Sequence, residues 1–231
     1  MKQPTQALFL KDVAAHEMTV LLDQGVYRHL LFRSPLTGNQ WFEIITWPGN
    51  LAYAGDMGCY VFSRLRDMFE FFRTRPDGDK AELHINTSYW AEKLQAVDCD
   101  GRESSALQFS PELFRSKVEE HFKEWVAEND ITADQAAEFE ESLESEVLCL
   151  SDDGEYEARK ALNDLNLEID GTRLQFSDTW EWKFSEYTFR FIWCCYALAW
   201  AIQKYDAAKA PAASASAGAQ TTPQGVQEVT A

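Results

Sequence analysis

Between residues 26 and 62, large apolar, β-branched and aromatic side chains come in short runs separated by turn-forming clusters. The runs at 26–32 and 41–46 flank Ser34-Pro35-Leu36-Thr37-Gly38-Asn39, which predicts a β-hairpin. Trp47-Pro48-Gly49-Asn50 supplies a second turn, and Gly55-Asp56-Met57-Gly58 a third, between short strands at 51–54 and 59–62. Residues 26–62 therefore predict a four-stranded antiparallel meander. Upstream, Leu8, Leu10, Val13, Met18, Leu21 and Leu22 fit neither period cleanly, and 11–22 is assigned as a helix that Gly25 ends.

After Ser63 the apolar spacing turns helical through Leu65, Met68, Phe69 and Phe72, as far as Pro76-Asp77-Gly78-Asp79. A short helix is expected at 87–96, with Trp90 and Leu94 one turn apart. Ser110-Pro111-Glu112 combines a cap, a first-position proline and an acid, and opens a helix to about 128. Thr132-Ala133-Asp134-Gln135 reads as a capping box for a helix to about 148, and 153–165 predicts another. Asp170-Gly171 suits a two-residue hairpin turn. The segment 185–205 is apolar nearly all round and predicts a long final helix central to the core. From Ala207 the chain is mostly Ala, Ser, Pro, Gly, Gln and Thr, too few apolar groups to offset the entropy of ordering. The expectation is α+β: one domain over 1–206, an N-terminal antiparallel sheet packed against several helices, an acidic helical section at 110–165, and a disordered tail at 207–231.

Charge sharpens this picture. The formal net charge is −17, and residues 119–157 hold 15 acids against one base, Lys123. The remaining residues are nearly balanced, so the acidity is regional. Such a chain repels phosphate backbones and acidic lipid surfaces, which argues against direct nucleic-acid or membrane binding and for a basic protein partner. Carboxylates one helical turn apart lie about 6 Å from one another, as in Glu120–Glu124–Glu128 and Glu140–Glu144, with Glu141 beside the latter. The competing reading is a pair of solvated helix faces.

Candidate chemistry is sparse. The four histidines are scattered and no HExxH or CxxC pair occurs, so no metal or other cofactor is expected. The five cysteines have irregular spacing and read as reduced thiols of a cytoplasmic protein, and the polar start of the chain carries no apolar leader. The longest apolar run, about 12 residues, falls short of the ~20 that a membrane span needs. There is no nucleophile elbow and no phosphate loop, so an enzyme is the less favoured class. Asp56, Tyr60 and Arg64 are the candidates for a small-ligand pocket, Arg64 suiting an anion. Trp180-Glu181-Trp182 would place two indoles on one face if extended, either of them an anchor for a partner.

The stretches Trp41-Phe42-Glu43-Ile44-Ile45-Thr46-Trp47-Pro48-Gly49, Gly55-Asp56-Met57-Gly58-Cys59-Tyr60-Val61-Phe62-Ser63-Arg64, Asp67-Met68-Phe69-Glu70-Phe71-Phe72-Arg73 and Tyr187-Thr188-Phe189-Arg190-Phe191-Ile192-Trp193-Cys194-Cys195-Tyr196 resemble a family of phage- and prophage-encoded proteins without an assigned function. The resemblance spans most of 16–206 and carries no catalytic residues. It implies expression as an accessory protein in the cytoplasm of an infected bacterium. Two functions follow as expectations: a non-enzymatic protein that binds and modulates or inhibits a basic host protein through the acidic surface, or a nucleotide-like ligand-binding protein or enzyme using Asp56, Tyr60 and Arg64.

Overall fold

The alternation of buried and half-buried residues in 27–63 is that of strands packed on one side, and the chain folds accordingly. The computed structural model describes residues 3–73, 82–97 and 106–210. The Pro76–Asp79 helix stop, Cys99 and the tail at 211–231 lie outside them. Strands β1 (Glu17–Gln24), β2 (Tyr27–Arg33), β3 (Phe42–Trp47), β4 (Asn50–Gly55), β5 (Gly58–Ser63) and β6 (Leu94–Val97) form one antiparallel sheet in sequence order. Leu30, Phe32, Phe42, Ile44, Leu51, Tyr53, Tyr60 and Phe62 point to one side and are fully buried.

Two edges differ from expectation. The helix placed at 11–22 is instead α1 (Gln6–Asp12), capped by Thr5, followed by β1. Pairing of Val20 with Leu30 and Leu22 with His29 around the positive-φ Gly25 overrides the ambiguous local pattern. Likewise the helix expected at 87–96 stops as α3 (Thr87–Ala91), and the next residues pair with β5 as β6. The meander of four strands is thus extended to six.

The inner face is closed by α1, α2 (Met68–Phe72), α3 and α7 (Phe189–Lys209), whose buried residues merge into one cluster. Thr188 caps α7, and the three residues before it form β10 (Ser185–Tyr187) rather than helix. The helix runs past Asp206, where the folded part was expected to end, and Lys209 pairs with Asp23 of β1. Arg28 of β2 donates two hydrogen bonds to Asp67, at 2.9 and 2.8 Å, and Asp67 in turn caps α2.

Residues 109–184 build a second cluster. β7 (Leu107–Phe109) pairs with β10, and between them stand α4 (Pro111–Glu128), α5 (Ala133–Glu146), α6 (Glu155–Asp164) and a small hairpin, β8 (Glu168–Ile169) with β9 (Thr172–Arg173). Ser110 and the Thr132–Gln135 capping box start α4 and α5 as their residue types predict. Phe114, Val118, Phe122, Phe139, Leu143, Leu162 and Phe184 form a core separate from that of the sheet. The buried residues of the described chain fall into two clusters, with the β7–β10 ribbon between them.

Turn chemistry yields a test. A Cβ on Gly55 would meet the backbone oxygen of Trp41 and lie 2.7 Å from the Phe42 Cα, whereas one on Gly38 meets nothing. Gly55→Ala should lower unfolding free energy by roughly 2 kcal/mol or more, and Gly38→Ala should stay within about 0.5 kcal/mol of the parent in urea titrations. Equal stabilities would contradict this packing of β3 on β4.

Candidate functional site

The three residues proposed for a small-ligand pocket do not meet. Asp56 sits in the β4–β5 turn, where its carboxylate accepts from the Gln40 N–H and its carbonyl from Arg190. Arg64 is exposed just beyond the other end of β5, so a strand of six residues, about 20 Å long, separates the two. Tyr60 faces inward, fully buried against Tyr53 and Phe191, and burial holds both phenols above their ordinary range. These positions build a strand and its core contacts.

The carboxylates of the acidic section are exposed but divide between two flanks. On α4, Arg115 points to α5: it holds Glu144 at 3.0 Å and donates to the Leu148 carbonyl and to buried Ser151. Glu140 lies one turn before Glu144 on that same flank of α5. His121 follows Arg115 by six residues, which sets it about 120° away around α4. There it stacks on Trp182, with ring centroids 3.9 Å apart, and pairs with Glu124 at 3.1 Å. Glu124 and Glu128 lie within about 60° of His121 around the helix, and Glu120 is further toward the solvent side. Lys117 pairs with Glu120 and holds its carboxyl below the usual range. Of the six expected residues, Glu144 is tied to Arg115 across α4 and α5, Glu124 pairs with the His121 that stacks on Trp182, and Glu120 pairs with Lys117.

The aromatic pair of that loop also separates. Thr179–Glu181 is a 3₁₀ turn, so Trp180 and Trp182 do not share a side as an extended chain would make them. Trp182 packs on His121, Phe176 and Phe184, whereas Trp180 is 75% exposed. The turn is held by the left-handed Asp178, by the Trp182 N–H donating to the Thr179 carbonyl, and by Thr179 donating to Asn163 of α6.

One concavity was missed. On the outer side of the sheet, Glu17, Thr19, Leu31, Arg33 and Trp41 line a half-open groove of about 750 Å³ under the β2–β3 loop. Its sequence signal is an arginine and a tryptophan bracketing a turn cluster, which many hairpins share.

Cys194 and Cys195 are fully buried, and desolvation raises both thiols, which keeps them protonated and unreactive. Cys149 is exposed and donates to the Ser145 carbonyl. Among the described residues no group of three His, Cys, Asp or Glu is placed to hold a metal ion, and no helix is long and apolar enough to cross a membrane.

Nothing matches from outside. No family model, curated protein or solved structure is similar to this chain.

The division of the carboxylates can be measured. Arg115→Met or Glu144→Lys should cost about 1–2 kcal/mol in denaturant titrations, because each leaves polar partners of the α4–α5 joint unpaired. Glu128→Lys should change stability by less than about 0.5 kcal/mol. Equal costs at positions 128 and 144 would show that the two flanks are not distinct.

Proposed function

We propose that this chain is a non-enzymatic binding protein that captures a basic protein partner through Trp180 and the Glu120–Glu124–Glu128 flank of α4. The observation that carries the reading is the exposure of Trp180 on a closed turn two residues from the indole that stacks on His121. A large aromatic ring on a backbone turn already held in place costs little chain entropy on docking, and such residues dominate binding energy. Its π face attracts lysine and arginine, and on this reading the α4 carboxylates steer a basic surface toward it. Regional acidity and an exposed anchor then serve one contact, with Glu140 and Glu144 left to the packing of α5.

On this reading the partner is a host protein. The resemblance to phage- and prophage-encoded proteins supplies that context, with the chain acting in the cytoplasm of the infected cell to modulate or inhibit what it binds. The last helix then serves as the long apolar strut of the sheet core, carrying the ribbon from which the acidic unit extends.

Affinity capture from bacterial lysate tests the reading. Retention of a basic protein should fall on the order of 30-fold with Trp180→Ala, the effect of losing a contact worth about 2 kcal/mol. It should fall again with Glu120, Glu124 and Glu128 reversed to Lys, and weaken with added salt. Reversal of Glu140 and Glu141 should leave it nearly unchanged. Capture indifferent to Trp180 and to the α4 reversals would dismiss this surface.

A further inference from the structure

An antiparallel sheet with one solvated side normally alternates apolar inward and polar outward residues. This one does not. Leu31, Ile45, Ala52, Ala54 and Val61 point outward from β2 to β5, are only half-buried, and belong to neither core cluster. Trp47 and Tyr27 continue the same side at 37% and 51% exposure. Few charged groups stand on this side: Arg33 and Glu17 line the groove, and His29 is hydrogen-bonded to Glu43 at 2.6 Å. The excess negative charge of the molecule is carried by the other core.

Side-chain size is graded across the face. Ile45 is paired in register with Ala52, Glu43 with Ala54, and Val61 with Ala96. Large residues thus stand on β2 and β3, small ones on β4 and β6. A two-fold axis parallel to the strands, between β3 and β4, would lay β3 over β4 and β2 over β5 of a second copy. Ile45 would then seat over Ala52 and Glu43 over Ala54, with each contact occurring twice and no carboxylate opposite another. At the groove end the β4–β5 turn adjoins Trp41, where the Asp56 N–H donates to the Trp41 carbonyl. The same rotation brings that turn, with its exposed Asp56, over Arg33 in the groove of the other copy.

We propose that this outer face is the interface of a two-fold homodimer, formed by stacking the two sheets. Six strands at about 4.8 Å spacing and about 20 Å of strand length give on the order of 550 Å² of flat area. That is about two-thirds of the ~800 Å² per partner of a standard stable interface, to which side-chain relief and the β2–β3 loop add. Sheets stacked this way sit about 10 Å apart with inner residues interdigitated, which the large-over-small arrangement permits.

Sedimentation of the full chain across the micromolar range tests the proposal. The expected particle has twice the 26.4 kDa of one chain, and Ile45→Lys should convert it to monomer with a cooperative thermal transition retained. A charge swap guards against simple misfolding. Arg33→Asp alone and Asp56→Arg alone should each weaken dimerisation about 10-fold or more, while an equal mixture of the two variants should recover it, because each heterodimer contact again joins opposite charges. Overturning results are a wild-type monomer throughout, a dimer untouched by Ile45→Lys, a mixture no tighter than either variant, or loss with Leu21→Lys instead, which would place the contact at the β1 edge.

Discussion

Phe42 is the point on which the fold turns. Its ring stacks between Phe32 of the preceding strand and Tyr53 of the next, at 4.8 and 5.4 Å, and the edge of Trp193 from α7 closes over it at 5.8 Å. Phe9 of α1 meets the same indole at 4.9 Å. Each such ring buries on the order of 150–250 Å², so the inner face of the sheet is consumed in holding helices from both ends of the chain. Arg28–Asp67 and Arg73–Asp206 then fix α2 between the sheet and α7. What remains for other molecules is whatever this packing leaves uncovered: the outward side of the sheet and the helical unit.

That unit has a buried cluster of its own. Among the described residues its core of Phe114, Val118, Phe139, Leu143 and Phe184 shares no buried residue with the sheet cluster, and the β7–β10 ribbon, with the Thr188 N–H donating to the Ala106 carbonyl, lies between them. The consequence for function is a separation of chemistry. Negative charge and the exposed indole ride on one unit, while the neutral apolar surface belongs to the other. A basic partner and a second copy of the chain would not compete for the same residues.

Local chemistry was the legible part of the sequence. Pro48-Gly49 turns the chain between Trp47 and Asn50, Ser110-Pro111 starts α4, Thr132 with Gln135 starts α5, and Asp170-Gly171 takes the two positive φ values its hairpin needs. Non-local pairing was the hidden part: 20–22 and 94–97 look locally helical or ambiguous and become strands because partners elsewhere claim them. The same limit governs the candidate site. Glutamate spacing on α4 can be read directly, but Arg115 reaching Glu144 cannot, since 29 positions separate them. Asp56 and Arg64 are close in number, yet β5 carries them to opposite ends. Trp180 and Trp182 share a side only in an extended chain, and the 3₁₀ turn, at about 120° per residue, rotates them apart.

The division of the buried residues into two clusters is the claim on which the separation of the two surfaces rests, and native-state hydrogen exchange over a denaturant series measures it most directly. Amides of α4, α5 and α6 should exchange through an opening of lower free energy and smaller denaturant dependence than those of β2–β5 and α7, which should wait for global unfolding. A single opening free energy and a single denaturant slope shared by all of these elements would contradict it.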